Sequence, residues 1–72
     1  MAFDLSELRG RIKARFGSEK EFAKAMEMAQ SNLSARLNGK IHWSADEIKL
    51  ACDLLGIHSE EVGAYFFTPK VR

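Results

Sequence analysis

Short apolar stripes at helical spacing run through the whole chain, and this periodicity restricts its fold more than any other feature. Apolar residues recur three or four positions apart in five segments, while strand-like alternation is nearly absent. The five stripes are Leu5, Leu8, Ile12 and Phe16; Phe22, Ala23 and Met26; Leu33 and Leu37; Ile48, Ala51, Cys52 and Leu55; and Val62, Tyr65 and Phe66. The pattern predicts an all-α fold of five short helices.

Capping residues mark where these helices begin and end. A capping box pairs a short polar residue with a glutamate three positions later, and glycine commonly follows the last turn. The predicted starts are Asp4 with Glu7, Ser18 with Glu21, Ser44 with Glu47, and Ser59; the predicted stops are Gly17, Gly39, Gly56 and Thr68-Pro69. No linker or repeat interrupts the series, so the 72 residues form one predicted domain, residues 1–72.

Charge is segregated along the chain although the net charge is only +1. Residues 30–45 contain two basic residues, Arg36 and Lys40, and no acid. Residues 46–61 instead contain five acids and a single lysine. A low net charge is weak evidence for a nucleic-acid partner, but the acid-free segment suggests a surface that excludes carboxylates.

That acid-free segment begins with the third predicted helix, which follows the second after only Glu27, Met28 and Ala29. So short a turn makes two helices cross steeply, as in a helix-turn-helix. Leu33 and Leu37 are predicted to dock on the core. At 100° per residue, the outward residues are then Ser31, Ser34, Ala35 and Asn38, with Gln30 and Asn32 to either side. Such a short, polar face suits a major groove about 12 Å wide.

The segment FAKAMEMAQSNLSARLNGK, residues 22–40, resembles the helix-turn-helix of phage Cro/repressor-type regulators, and the resemblance continues through IKLACDLLGI to YFFTPKV. It implies a lambda-repressor-like DNA-binding domain whose third helix enters the major groove. The implied function is that of a small Cro-like repressor, a sequence-specific transcriptional regulator that binds a palindromic operator in double-stranded DNA as a dimer. The implied DNA contacts are Gln30, Ser31 and Asn32 at base edges, Ser34 and Ala35 at the groove floor, Asn38 and Lys40 at the sugar-phosphate backbone, and Arg36.

Three positions depart from that family's pattern and support an alternative function. Glu27 occupies a turn position where glycine is usual, and Ala29 cannot cap the third helix as Ser or Thr would. Glu19 places a carboxylate where a glutamine commonly contacts phosphate. The alternative is an accessory modulator or antirepressor of the same fold, which binds a partner repressor rather than DNA.

The C-terminal segment, residues 65–72, contains more apolar side chains than so small a core needs. Phe67 and Val71 have no obvious place inside, and exposed apolar area of this kind marks interfaces. Tyr65, Phe66, Phe67 and Val71 are therefore predicted to contact a second copy or, under the alternative, a partner repressor. The competing interpretation is that the segment folds back over its own core.

Other function classes are disfavoured by the sequence. It lacks paired catalytic carboxylates, a nucleophile–base arrangement and a glycine-rich phosphate loop, so we expect no enzyme, cofactor or small-molecule substrate. His42 and His58 lack a second ligand at metal spacing. No apolar run approaches the ~20 residues of a membrane span, and the start does not resemble a signal peptide. The single cysteine, Cys52, cannot form an internal disulfide, which fits a reducing cytosol. The resemblance to phage regulators implies the cytosol of a bacterial host, with the gene belonging to the host or to a prophage.

Overall fold

The computed structural model describes residues 3–70, in which the regular structure is helical. Its elements are α1 (Ser6–Phe16), α2 (Glu19–Ala25), α3 (Gln30–Leu37), α4 (Ala45–Leu55) and α5 (Val62–Phe66), with a 3-10 turn at Ser59–Glu61. The predicted all-α fold of five helices is therefore confirmed. None of the helices within residues 3–70 is long and apolar enough to span a membrane.

The core forms where the apolar stripes of the helices meet. Five large side chains at its centre are fully buried: Phe22, Leu8, Ile12, Leu33 and Leu55. Each such side chain contributes about 1.5–3 kcal/mol through its removal from water. Leu37 is also buried, so the docked stripe predicted for α3 is confirmed and the polar residues of that helix face outward. Cys52 belongs to the core, and burial raises the pKa of its thiol.

Two of the predicted helix starts have the expected hydrogen bonds. Ser44 Oγ accepts from the Glu47 backbone N–H at 3.1 Å, and the Glu47 carboxylate accepts from the Ser44 N–H at 2.9 Å. These two bonds complete a capping box at the start of α4. Ser18 Oγ likewise accepts from the Glu21 N–H at 3.2 Å and caps α2.

The first and last helices begin differently from the predicted pattern. The Asp4 carboxylate accepts from the Ser6 N–H at 2.9 Å, so its bond reaches only two residues ahead. Ser59 does not cap α5 but begins the 3-10 turn that precedes it. That turn is fixed by the Glu61 carboxylate, which accepts from the His58 N–H at 3.2 Å. The sequence predicted both starts to within a few residues, but it did not predict the hydrogen bonds that form there.

The turn between α2 and α3 contains the one non-glycine residue with positive φ among the described residues. The Met28 N–H donates to the Ala23 carbonyl and the Glu27 N–H donates to the Lys24 carbonyl, both at 3.0 Å. This pair of bonds forms a Schellman motif, which requires a left-handed residue at the position of Glu27. Glu27 has φ +58°, so a β-carbon occupies a conformation that glycine adopts at no steric cost.

We expect Glu27→Gly to stabilise the fold by about 0.5–1 kcal/mol. Removing the β-carbon from a residue in the left-handed conformation contributes about 1–2 kcal/mol. The greater conformational freedom of glycine in the unfolded chain offsets part of this gain. Glu27→Ala is the matched control because it removes the same charge but keeps the β-carbon. Urea unfolding measures the difference. Equal stability of the two variants would contradict this explanation of the turn.

Candidate protein-interaction surface

The eight residues predicted to contact DNA lie along α3 and just beyond it, but their exposure differs. Gln30, Ser31, Asn32, Asn38 and Lys40 are exposed, whereas Ser34, Ala35 and Arg36 are half-buried. Ala29 precedes the helix without a side-chain hydrogen bond, as its sequence requires. The start of α3 therefore presents short polar groups to solvent, while its second half lies closer to the rest of the domain.

Arg36 is bonded within the domain. Its guanidinium donates to both carboxylate oxygens of Glu47, at 3.0 and 2.9 Å, and to the carbonyl of Asn32 at 3.0 Å. The Arg36 and Glu47 side chains are only 16% and 24% exposed. This contact, followed by the Ser44 backbone N–H, holds the pKa of the Glu47 carboxyl below its ordinary value. The charge of Arg36 is thus already matched, and the pair ties α3 to the start of α4.

Asn38 is also bonded to another helix. Its side-chain oxygen accepts from Arg9 at 2.8 Å, and its amide donates to Ser34 Oγ at 3.3 Å. Arg9 also donates to the Leu37 carbonyl and to the Glu19 carboxylate, each at 3.0 Å. One guanidinium therefore joins the end of α3 to the start of α2, and it matches the carboxylate that sets Glu19 apart from the family pattern.

A second arginine of α1, Arg11, forms hydrogen bonds with the end of α4. Arg11 donates to the carbonyls of Leu55 and Gly56, at 2.9 and 3.1 Å. The last carbonyls of a helix lack partners within the helix and carry partial negative charge, so a guanidinium there is favourable. No local pattern predicts either role, because Arg9 and Arg11 contact carbonyls 28 and 44 residues further along the chain.

The two ends of the described chain meet and form a short extended pair. Phe3 and Pro69 make an isolated antiparallel bridge, and the Asp4 N–H donates to the Thr68 carbonyl at 2.8 Å. The rings of Phe3 and Phe67 pack edge to face with their centroids 5.5 Å apart. This pairing fixes residues from both ends at one place on the surface.

Phe3, Ile41, Trp43 and Phe67 lie together at that place, and we call them the terminal apolar surface. Three of them are exposed, Phe3 to 37%, Ile41 to 42% and Phe67 to 48%, while Trp43 is partly buried. Their side chains line a cavity of about 90 Å³. The buried Phe66 forms part of its wall and packs edge to face on Trp43, with centroids 5.1 Å apart. Three remote segments of the chain thus create one apolar site.

Phe67 also lines a second, larger depression of about 420 Å³. We call it the α4 depression because α4 supplies Ala45, Ile48, Lys49, Cys52 and Asp53 to its wall. Lys49 and Asp53 form an exposed ion pair at 3.5 Å along its edge. Phe67 is therefore shared between two sites with charged side chains in their walls, Arg36 in the cavity and Lys49 and Asp53 in the depression.

The structure changes the predicted set of interface residues. Phe67 is exposed as expected and Tyr65 is half-buried, but Phe66 is only 3% exposed because it completes the core. Phe66 is thereby removed from the predicted interface. Val71 lies outside the described residues. Sequence analysis missed Phe3 and Ile41 as neighbours of Phe67, since nothing in their local patterns shows that they meet.

The fold and these surfaces define a small, all-α protein that resembles a phage regulator along its whole length. The solution structure of the modulator of repression (MOR) of the temperate bacteriophage TP901-1 from Lactococcus lactis matches with a TM-score of 0.84 and 36% sequence identity. The match covers 100% of this chain and 97% of that one. The family described as "Protein of unknown function (DUF739)" matches residues 1–69, and the chain belongs to this family. No curated protein matches it.

This match corrects the main functional prediction. The resemblance to Cro/repressor-type regulators implied a repressor that binds its operator directly, whereas the matched structure is that of a modulator of repression. The finding agrees with the alternative, an accessory protein of the same fold. The prediction of a Cro-like, DNA-binding repressor is therefore wrong.

The Arg36–Glu47 pair predicts how stability depends on pH. The pKa of Glu47 is lowered from its ordinary value of 4.5, so its contribution is complete above that pH and is lost as the pH falls through the folded-state pKa. We expect Glu47→Gln to lower the free energy of unfolding by about 2 kcal/mol at pH 7. The variant should also lose less stability than the wild type during acidification below pH 4.5.

Asp53→Asn is the matched control, because it breaks an exposed ion pair on the same helix. Such pairs contribute only about 0–1 kcal/mol. Urea unfolding followed by circular dichroism at several pH values compares the three proteins. Similar losses in both variants at pH 7 would show that the Arg36–Glu47 pair has no special structural role.

Proposed function

We propose that the chain is an accessory modulator of repression that binds a partner repressor protein and thereby changes how that repressor occupies its operator. The observation that carries this proposal is the match to the TP901-1 modulator of repression over the whole chain at 36% identity. Because the match covers the whole chain, we assign the general role of that protein, modulation of a repressor, to this chain. A partner repressor was the alternative that Glu19, Ala29 and the low net charge favoured in the sequence.

The polar contacts of α3 support a protein partner. Arg36 donates from Nε and Nη2 to Glu47 and from Nη1 to the Asn32 carbonyl, so its charge is not available to neutralise a phosphate. The side chain of Asn38 is engaged by Arg9 and Ser34. Non-specific affinity for DNA comes almost entirely from neutralised phosphates, and a net charge of +1 supplies little of it.

The terminal apolar surface supports the same proposal. Aromatic residues are enriched at the centres of protein interfaces, where they supply large apolar area. Phe3 and Phe67 form such a pair, with Ile41 lining the same cavity. Exposing these side chains to water is unfavourable, and a protein partner would remove that cost.

We further infer that α2 and α3 keep the helix-turn-helix arrangement of the Cro/repressor-type family as a scaffold. The four residues between the helices and the burial of Leu33 and Leu37 support this relationship. Such a scaffold requires only the buried positions and the turn, so it is compatible with an outward face that does not read DNA.

A mobility-shift titration tests the proposed function. The duplex contains the operator of the partner repressor, and the proteins are the chain alone, the repressor alone and both together. We expect the chain alone to leave the duplex unshifted at concentrations at which the repressor binds fully. Adding the chain at a fixed repressor concentration should change the fraction of shifted duplex.

A duplex with a scrambled operator controls for non-specific binding. The proposal fails if the chain alone shifts the operator in preference to the scrambled duplex. It also fails if a molar excess of the chain leaves the repressor's binding curve unchanged.

A further inference from the structure

The exposed large apolar side chains of the described residues are concentrated at one site. There are four of them, Phe3, Ile41, Leu50 and Phe67, and each is 37–48% exposed. All except Leu50 line the cavity of the terminal apolar surface. Scattered exposed apolar residues need no explanation, but a contiguous group around a cavity indicates a binding site.

The wall of this cavity is mostly apolar. Arg36 and His42 line it beside the apolar residues, and Arg36 is paired with Glu47. Trp43 lines it too, but its indole Nε1 atom is buried and has no hydrogen-bond acceptor among the described residues. Because that atom has almost no exposed surface, the occupant of the cavity should be an apolar group that packs on the ring of Trp43.

The size of the cavity identifies the kind of group that fits. Pockets for small-molecule ligands and cofactors usually enclose about 300–1,000 Å³, and a cavity that holds benzene measures about 150 Å³. The cavity here is about 90 Å³, which suits one aliphatic side chain.

The charged residues beside the cavity indicate which residues of the partner flank the inserted side chain. Asp53 lines the α4 depression, which shares Phe67 with the cavity. Asp46 and Glu60 are exposed and directly follow two other lining residues, Ala45 and Ser59. Lys49 is the only cation among the residues that line this depression, and it is paired with Asp53. The two charges of the wall therefore cancel. The excess of acids lies in the segment that surrounds it, residues 46–61, with five acids and one lysine, and this segment complements a basic partner.

We propose that the partner repressor docks on the terminal apolar surface. A segment of the repressor inserts one aliphatic side chain into the cavity and places lysine or arginine side chains against the exposed acids beside the α4 depression, Asp46 and Glu60. DNA-binding proteins carry such basic residues in clusters, which fits a repressor as the partner. This inference rests on the proposed function and specifies the surface through which it operates.

Isothermal titration calorimetry of the full-length chain with the purified repressor tests the surface. Phe67→Ser and Ile41→Ser should each lower affinity at least about tenfold, as truncation of a central interface residue does. Leu50→Ser is the matched control: Leu50 is 39% exposed, but it lines neither the cavity nor the α4 depression. Its affinity should equal that of the wild type. Circular dichroism and thermal unfolding establish that all three variants are folded.

Charge variants test the second part of the proposal. Asp46→Asn together with Glu60→Gln should slow association with the repressor, and the difference from the wild type should shrink at high salt. Glu21→Gln is the control, because α2 contributes no residue to either site. Unchanged association rates for the double variant would overturn the charge assignment.

These experiments distinguish an error in the proposed binding surface from an error in the proposed function. If the wild type binds the repressor and Phe67→Ser and Ile41→Ser bind equally well, the surface is wrong although the proposed function stands. If the wild type does not bind the repressor, both are wrong. Sedimentation of the chain alone tests for a second copy as the occupant. A wild-type dimer that Phe67→Ser converts to a monomer, with no change in repressor affinity, would overturn the proposal.

Discussion

The ion pair between Arg36 and Glu47 is the interaction on which the rest of the surface depends. It joins the last turn of α3 to the first turn of α4, and Glu47 simultaneously closes the capping box of α4. The loop between these helices, which contains Ile41 and Trp43, is therefore fixed at both ends. Arg36, which was predicted to contact DNA, is held against Glu47, and the pair positions the loop that contributes Ile41 and Trp43 to the terminal apolar surface.

Local patterns were enough to predict the helices, since caps and apolar stripes operate over three or four residues. Ser44 with Glu47 and the stripe of Leu33 and Leu37 are examples. The site could not be predicted in this way. Arg9 reaches a carbonyl 28 residues away, and the cavity gathers side chains from both ends of the described chain and from the α3–α4 loop. Such contacts depend on how helices pack, which periodicity does not specify.

The error in the main functional prediction has a physical reason. A helix-turn-helix pattern is set mostly by buried positions and by the turn, and these are the same whether or not the outward face reads bases. The informative positions were those that departed from the pattern. Glu19 forms an ion pair with Arg9, and Glu27 adopts a left-handed backbone conformation. They belong to a domain that keeps the scaffold but, under the proposed function, has a protein as its target.

We expect a repressor, and not DNA, to occupy the terminal apolar surface. Trp43 is the only tryptophan, so its indole N–H gives one resonance in a nitrogen-15 correlation spectrum. The most direct measurement is a titration of labelled chain, first with operator duplex alone and then with repressor. The expected result is an unmoved indole resonance with the duplex and a shift with the repressor, because a repressor side chain then fills the cavity that Trp43 lines. A response of the α3 amides to the duplex, with no change at Trp43 on adding repressor, would contradict it.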